Sequence, residues 1–203
     1  MAASQGETRD RVLRTASELF QRQGYHGTGL NQVLAESHAP KGSLYFHFPA
    51  GKEQLAAESV ALSGAELGEA LMAAASTAPD GRTGVAALGE YFAQSLLESD
   101  FSKGCPVATV ALETSAASDS LRTACDQAYD GWQRGIATAL RGWGVPDDAS
   151  DPLAALVLSS LQGVVMLARV QRDVTVIQTI TRQLGDLIEL ATAPATGTTP
   201  APL

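Results

Sequence analysis

At 203 residues the chain has room for one small domain of about 50 residues and one larger core, and 14 Lys and Arg against 22 Asp and Glu leave it a net charge of -8, which argues against nucleic-acid binding over its whole surface. The N-terminus shows no basic-apolar-small signal pattern and no apolar run reaches about 18 residues without polar interruption, so a cytoplasmic protein is expected, neither secreted nor membrane-spanning. All three histidines, His26, His38 and His47, lie in the first 50 residues, which deprives the larger part of a histidine base, a triad or a zinc site.

Helical periodicity runs through the chain and strand alternation is almost missing. Residues 8–23 place Val12, Leu13, Ala16, Leu19 and Phe20 on one face and stop at Gly24. The following string, TGLNQVLAESHAPKGSLYFHFPAGKEQL, packs two short helices and a tight turn together. Leu30, Val33 and Leu34 form the stripe of the first, with Thr28 as its expected N-cap. Ser37, His38 and Ala39 make the turn, and Pro40 is expected at the first position of a second helix reaching His47. Leu44, Phe46 and Phe48 are expected on its core side.

That second helix carries Lys41, Gly42, Ser43 and Tyr45 near one exposed end, the part of a recognition helix that enters the major groove. Gly42 costs about 1 kcal/mol in a helix relative to alanine, so close approach of DNA is a reason for it. Lys41 can meet a phosphate or a guanine edge, Ser43 either, and Tyr45 and His47 phosphate oxygens. Downstream, Lys52 and the free N–H groups of a new helix form an anion site. The whole reads as a DNA-binding helix-turn-helix.

These residues resemble the N-terminal domain of TetR-family transcriptional repressors, whose K-G-[ST]-[LVI]-Y-x-[HY]-F string is met here by KGSLYFHF. The resemblance covers about residues 8–55. It implies backbone anchoring by Thr28, Tyr45, His47 and Lys52 and groove contacts by Pro40, Lys41, Gly42 and Ser43, with Gln32 able to join them. One departure is His38, where the family's turn usually holds glycine; histidine is among the residues that tolerate a left-handed backbone.

A long alanine-rich helix is expected from about Gly51 to Ala75, ended by TAPDGRTG. A fifth follows near Gly84 to Glu98 and a sixth near Val107 to Ala116 after the KGCP turn. The clearest spans residues 119–142, capped by Ser118, with Leu121, Cys125, Tyr129, Trp132, Ile136 and Leu140 at steps of four and three. Asp151 as N-cap and Pro152 at the first position open a helix that is apolar on most sides, and Asp173 opens the last. Leu156, Ile177, Ile180, Leu184 and Leu187 on these two are expected at a homodimer interface, since a two-fold dimer doubles the DNA readout of one helix-turn-helix; the TetR resemblance also implies dimerisation through them. Residues 192–203 are expected to be a disordered tail.

The expected organisation is therefore all-α, about nine helices: a three-helix helix-turn-helix domain over 1–50 and a ligand-binding and dimerisation domain over 51–191. The charge divides the same way. Residues 1–55 hold six basic against five acidic residues, net +1, and the remainder eight against 17, net -9. Acidity away from the DNA-facing end leaves one productive docking surface; it also suits cationic ligands, although a solvated acidic face is the plainer account of it.

KGCPVATVALE, the Trp-containing helix and SSLQGVVMLARV further resemble the C-terminal region of the LmrA/YxaF-type branch of that family, regulators associated with multidrug-efflux genes and lipophilic aromatic ligands. From the residues themselves, Phe92, Leu96, Cys105, Val107, Tyr129, Trp132 and Met166 are candidate cavity walls, with Gln162 as a polar handle inside an apolar helix. Taken singly, each wall residue reads more readily as plain core, and Gln162 is the exception. Cys105 and Cys125 have no CxxC pairing and read as buried free thiols, with a redox sensor as the alternative. No nucleophile-elbow, Walker or zinc-peptidase string is present, and no enzyme activity, cofactor or metal is expected. Two functions stay open: a repressor released from double-stranded operator DNA by a small lipophilic or aromatic effector, and a DNA-binding dimer without one, controlled by a protein partner or by abundance.

Overall fold

The computed structural model describes residues 5–192, and among these the chain is all-α with nine helices: α1 (Gln5–Gly27), α2 (Leu30–Glu36), α3 (Ser43–His47), α4 (Lys52–Ser76), α5 (Gly81–Glu98), α6 (Pro106–Thr114), α7 (Asp119–Gly142), α8 (Asp147–Gln171) and α9 (Thr175–Thr192). The expected tail begins inside α9 at Thr192, and its residues 193–203 lie outside the described residues.

α2 and α3 are too short to persist alone, because a helix nucleus is unfavourable and needs more turns or tertiary packing to offset it. They survive by sharing a core with α1: Val12, Ala16, Leu19 and Phe20 meet Val33, Leu34, Leu44 and Phe48, all buried. Leu55 of α4 is buried in the same cluster, so α4 leaves the small bundle as a rigid strut. Beyond it, α4 packs chiefly along α7 and α5 along α9, α8 lies between α7 and α9, and α6 crosses α1.

Four boundaries differ from the sequence expectation, each for a local reason. Thr28 does not cap α2; Gly29 does so without a side-chain bond, because the Thr28 hydroxyl is buried and donates to Gly24 O at 2.7 Å. α3 starts at Ser43, since Pro40 closes a turn in which both Ser43 N and Ser43 Oγ donate to its carbonyl at 2.9 and 2.7 Å. α5 starts within the supposed breaker, where the Asp80 carboxylate accepts from Thr83 N at 2.8 Å as a true N-cap. α8 starts a turn before Pro152, with Pro146 as N-cap. Asp151 is then free to pair with Arg141 at 2.6 Å rather than cap.

α8 is long and apolar enough, by length and composition, to cross a membrane, with a mean hydropathy of 1.8 over its most apolar window. Here it packs on α7 and α9 through Ala154, Val157, Leu158, Leu161, Val164, Val165 and Ala168, all buried.

Candidate nucleic-acid interface and a cavity between helices

The turn between α2 and α3 closes by a left-handed residue. His38 sits at φ 51°, its N–H donating to Ala35 O at 3.2 Å, while Ala39 N reaches Leu34 O at 3.0 Å. Arg11 of α1 ties the same turn to the bundle through Nε to Ser37 O at 2.6 Å. α3 is thereby fixed across α2, with Leu44 and Phe48, one helical turn apart, pointing into the core.

The opposite side of α3 faces outward. Tyr45 and Phe46 are 64% and 67% exposed, and Pro40, Lys41 and Gly42 are exposed beside them. Phe46 therefore corrects the expectation that it is core: two residues from both Leu44 and Phe48, it cannot share their face of a helix. Residues 44, 46 and 48 would share one side only at the spacing of a strand. Gly42 has an ordinary φ of -77°, and a Cβ there would meet nothing within 4 Å, so no contact inside the chain requires glycine.

The remaining interface candidates are distributed unevenly. His47 is half-buried between the Phe46 and Phe48 rings, at 4.9 and 6.4 Å. Ser43 is half-buried, with its proton committed to Pro40 O. Gln32 is held along α2, accepting from Gln23 Nε2 at 2.8 Å and donating to Glu36 at 2.9 Å. Thr28, 1% exposed, braces the start of α2 from inside. Lys52, first residue of α4, rests its ammonium 4.5 Å from the centre of the Tyr25 ring. Burial lowers its pKa, and the Glu113 carboxylate works against that shift. Tyr25 went unread in the sequence because it lies just past the break at Gly24, outside every stripe.

Between α6, α7 and α8 lies a cavity of about 630 Å³. It is lined by Cys105, Ala108, Leu112, Tyr129, Gln162 and Met166, with Arg169 and Glu113 at its edge toward α1. Cys105 is the N-cap of α6, its sulfur 3.5 Å from Ala108 N. Burial pushes its thiol upward in pKa and does the same for the Tyr129 hydroxyl. Gln162 Oε1 is buried and accepts no hydrogen bond, alone in this among the buried side-chain nitrogens and oxygens of the described residues.

The other expected wall residues are elsewhere. Trp132 sits in a separate groove of about 500 Å³ between α4 and α7, its Nε1 donating to Gly64 O at 2.8 Å. Phe92 lines a polar cleft between α1, α4 and α5. Leu96 and Val107 are core, 2% and 0% exposed. Of the eight candidates the structure brings Cys105, Tyr129, Gln162 and Met166 together.

Five residues were expected at a dimer face. Leu156 and Leu187 are exposed and Ile180 half-buried, joined by exposed Met166, Leu167, Val170 and Leu190 on the same two helices. Ile177 and Leu184 are corrected: both are buried within the chain. Ile177 lies so near α5 that a Cβ on Gly89 would fall 3.1 Å from its Cγ2.

Residues 12–58 match the family of bacterial regulatory proteins designated tetR, and residues 82–183 match the C-terminal domain of LmrA/YxaF-like transcriptional regulators. The chain is 37% identical to the HTH-type transcriptional regulator LmrA of Bacillus subtilis over 187 residues, 92% of this chain and 99% of that one. It is 36% identical to the HTH-type regulator YxaF of the same organism, covering 91% and 97%. A TetR transcriptional regulator of Chloroflexus aurantiacus has the same fold, with a TM-score of 0.78 and 27% identity, covering 91% of this chain and 96% of that one.

Proposed function

Since the chain belongs to the TetR family of transcriptional regulators, with an LmrA/YxaF-like C-terminal domain, and is not an enzyme, we propose that it is a cytoplasmic repressor that binds a palindromic operator as a homodimer and is released by a small lipophilic or aromatic effector. The small bundle of about residues 1–50 is the DNA-binding domain in this reading and 51–191 the effector-binding and dimerisation domain. The genes it controls serve efflux or detoxification, an assignment supported by the resemblance to the LmrA/YxaF branch alone.

The observation that carries this reading is the outward face of α3. Tyr45, Phe46, Lys41 and a glycine that nothing inside the chain requires are gathered at its exposed end, with Lys52 beside them to meet phosphate. A helix presented in this way reads base edges with its N-terminal residues while neighbouring cations grip the backbone. Exposed apolar side chains on α8 and α9 supply a self-complementary face for the second copy, which doubles the number of base pairs read.

The effector is assigned to the cavity between α6, α7 and α8. Its walls are mostly apolar, and Gln162 Oε1 offers a buried acceptor that a hydroxyl or amide of a ligand would satisfy. A regulator without an effector leaves that acceptor without a role.

Selection of bound duplexes from a random pool, followed by gel shifts with a panel of phenolic and polycyclic compounds, tests both halves. The expected result is a two-fold symmetric site with half-sites about one helical turn, roughly 34–36 Å, or a multiple of it, apart, and release of that site by members of the panel. Enrichment of no sequence would overturn the DNA half, and a retained complex with every compound the effector half.

A further inference from the structure

We propose that Glu113 and Arg169, two residues at the edge of the cavity, carry its occupancy to the DNA-facing helices by gripping the bent end of α1; this rests on the reading of the chain as an effector-responsive DNA-binding protein. α1 is broken at Gly24, whose φ of 79° and ψ of 178° lie outside the helical region. The Glu113 carboxylate fills the notch so formed. A Cβ on Gly24 would fall 1.9 Å from Glu113 Oε1, and Glu113 Oε2 accepts from His26 N at 2.7 Å. Gly24 is therefore required twice, once for its backbone angle and once for the room its missing side chain gives to the acid.

Arg169 holds the turn just before the break, donating from Nη2 to Arg22 O at 3.2 Å. Gln21 donates to Gly104 O at 2.7 Å, and Gly104 is another lining residue. The last turn of α1 before the break and the first residues after it are thus hydrogen-bonded to groups on the cavity side, from both α6 and α8.

On the far side of that grip lies the DNA-facing machinery. Gly24 O accepts from Thr28 Oγ1, which braces the start of α2. Tyr25, between Gly24 and His26, seats the Lys52 ammonium. Glu113 and Lys52 also sense each other's charge, since the carboxylate raises the lysine's pKa. Displacing α6 by a fraction of a side chain would withdraw Glu113 from the notch and change the seat of Lys52.

Arg169 borders a segment whose backbone is held by side-chain contacts. It also donates to Phe101 O at 3.2 Å and Ser102 O at 2.9 Å. Asp100 and Phe101 hold left-handed φ values of 49° and 59°, as does Arg172 at 53°, a conformation costly for such residues and kept only by surrounding contacts. Those contacts are Arg172 to Asp100 at 2.5 Å and the Arg172 guanidinium over the Phe101 ring at 5.3 Å. A ligand that wedges α8 from α6 loads both grips at once.

A double-mutant cycle tests this, with Ala108→Phe filling the cavity and Glu113→Ala removing one grip, read as affinity for the selected operator duplex. Ala108→Phe is expected to weaken operator binding about tenfold or more in the native background. In the Glu113→Ala background, where only the Arg169 grip remains, the same filler should cost less, about threefold. Equal losses in both backgrounds would overturn the relay while leaving cavity control of DNA binding intact. No loss from the filler in either background would overturn both. Ala111→Leu, a smaller filler, replaces Ala108→Phe if the latter melts well below the native protein, and the same two outcomes decide.

Discussion

The Lys52 ammonium lies 4.5 Å above the Tyr25 ring, so the first residue of α4 is seated on the residue that follows the break in α1. A cation over an aromatic face gains about 0.5–2 kcal/mol depending on its exposure, enough to restrict a side chain that would otherwise wander. Held so, Lys52 would offer a phosphate contact already in place before DNA arrives, if the proposed docking face is the one used. Lys52→Ala is expected to weaken all duplex sequences about equally and to lower the log–log salt slope by about one. Tyr25→Leu should give a smaller uniform loss with the slope kept, because the charge remains and only its seat is gone. Titrations at four salt concentrations check both, and an unaltered slope in Lys52→Ala would remove Lys52 from the interface.

Phe46 and Phe48 should separate folding from recognition. Phe48 is fully buried and Phe46 67% exposed. Phe48→Ala should cost about 3–5 kcal/mol of stability, the usual range for emptying a large core site. Phe46→Ala should stay within about 0.5 kcal/mol of the parent yet weaken operator binding, since its ring covers the outer face of α3. Denaturant melts and anisotropy on the same samples decide. Full operator affinity in folded Phe46→Ala would place the docking surface elsewhere on the bundle.

How much of this was legible in sequence follows from what fixes each feature. Where a signal is local and complete it was read correctly: Ser118 caps α7 by accepting from Leu121 N at 3.1 Å, the apolar residues at steps of four and three are buried below it except half-buried Tyr129, and His38 takes the left-handed turn. Asp173 likewise opens α9 by binding Thr175 N at 2.9 Å. Local signals failed where a longer-range partner outbid them. Asp151 has the chemistry of a cap, but Arg141 claims it, and α8 starts earlier. Periodicity named an apolar face on α9 without saying what covers it, so Ile177 and Leu184, which pack inside the chain, were indistinguishable from Leu187. The cavity was half legible. Gln162 stood out as polar among apolar neighbours, whereas the exclusion of Trp132 depends on Gly64 in α4 accepting its N–H, a pairing no spacing within α7 reveals.

Leu184 and Leu187 therefore make opposite predictions. Leu184, 3% exposed, is core, and Leu184→Glu should bury an unpaired charge and prevent folding. Leu187, 44% exposed, has no such constraint within one chain, so Leu187→Glu should leave the helical content intact while converting dimers to monomers and weakening operator binding. Leu156→Glu should behave as Leu187→Glu does. Light scattering with circular dichroism gives the answer; a folded dimer in both surface variants would remove the α8 and α9 face from the interface.

Cys105 and Cys125 are both buried free thiols, and burial pushes Cys125 up to about 11. Nucleophilic attack needs the thiolate, so neither sulfur should react readily with a disulfide reagent near neutral pH. The shift is upward, so the stability tied to Cys125 is complete below its ordinary value of 9.0 and is lost as pH rises from there through about 11. Native protein at pH 7.5 should release thionitrobenzoate only on unfolding. Rapid release of one equivalent from folded protein would restore the redox-sensor reading.

Gln162 sets function against stability. Its Oε1 is buried beside the cavity with no donor, and a buried acceptor left unpaired costs about 1–3 kcal/mol. Gln162→Met keeps the length of the side chain, removes that acceptor and presents an unbranched apolar group suited to irregular space. The variant free of ligand is expected to be more stable by about 1 kcal/mol, visible as a higher denaturant midpoint at unchanged slope. Operator binding should be unaltered, since Gln162 touches none of the groups at α1 or α3. Release by any compound carrying a hydroxyl or amide donor should shift to higher concentration by roughly tenfold, the equivalent of one lost hydrogen bond of about 1.4 kcal/mol. Compounds without a donor should release the variant as readily as the parent. A less stable variant with an unchanged dose response to donor compounds would mean that the amide is satisfied within the protein and that the effector binds away from it.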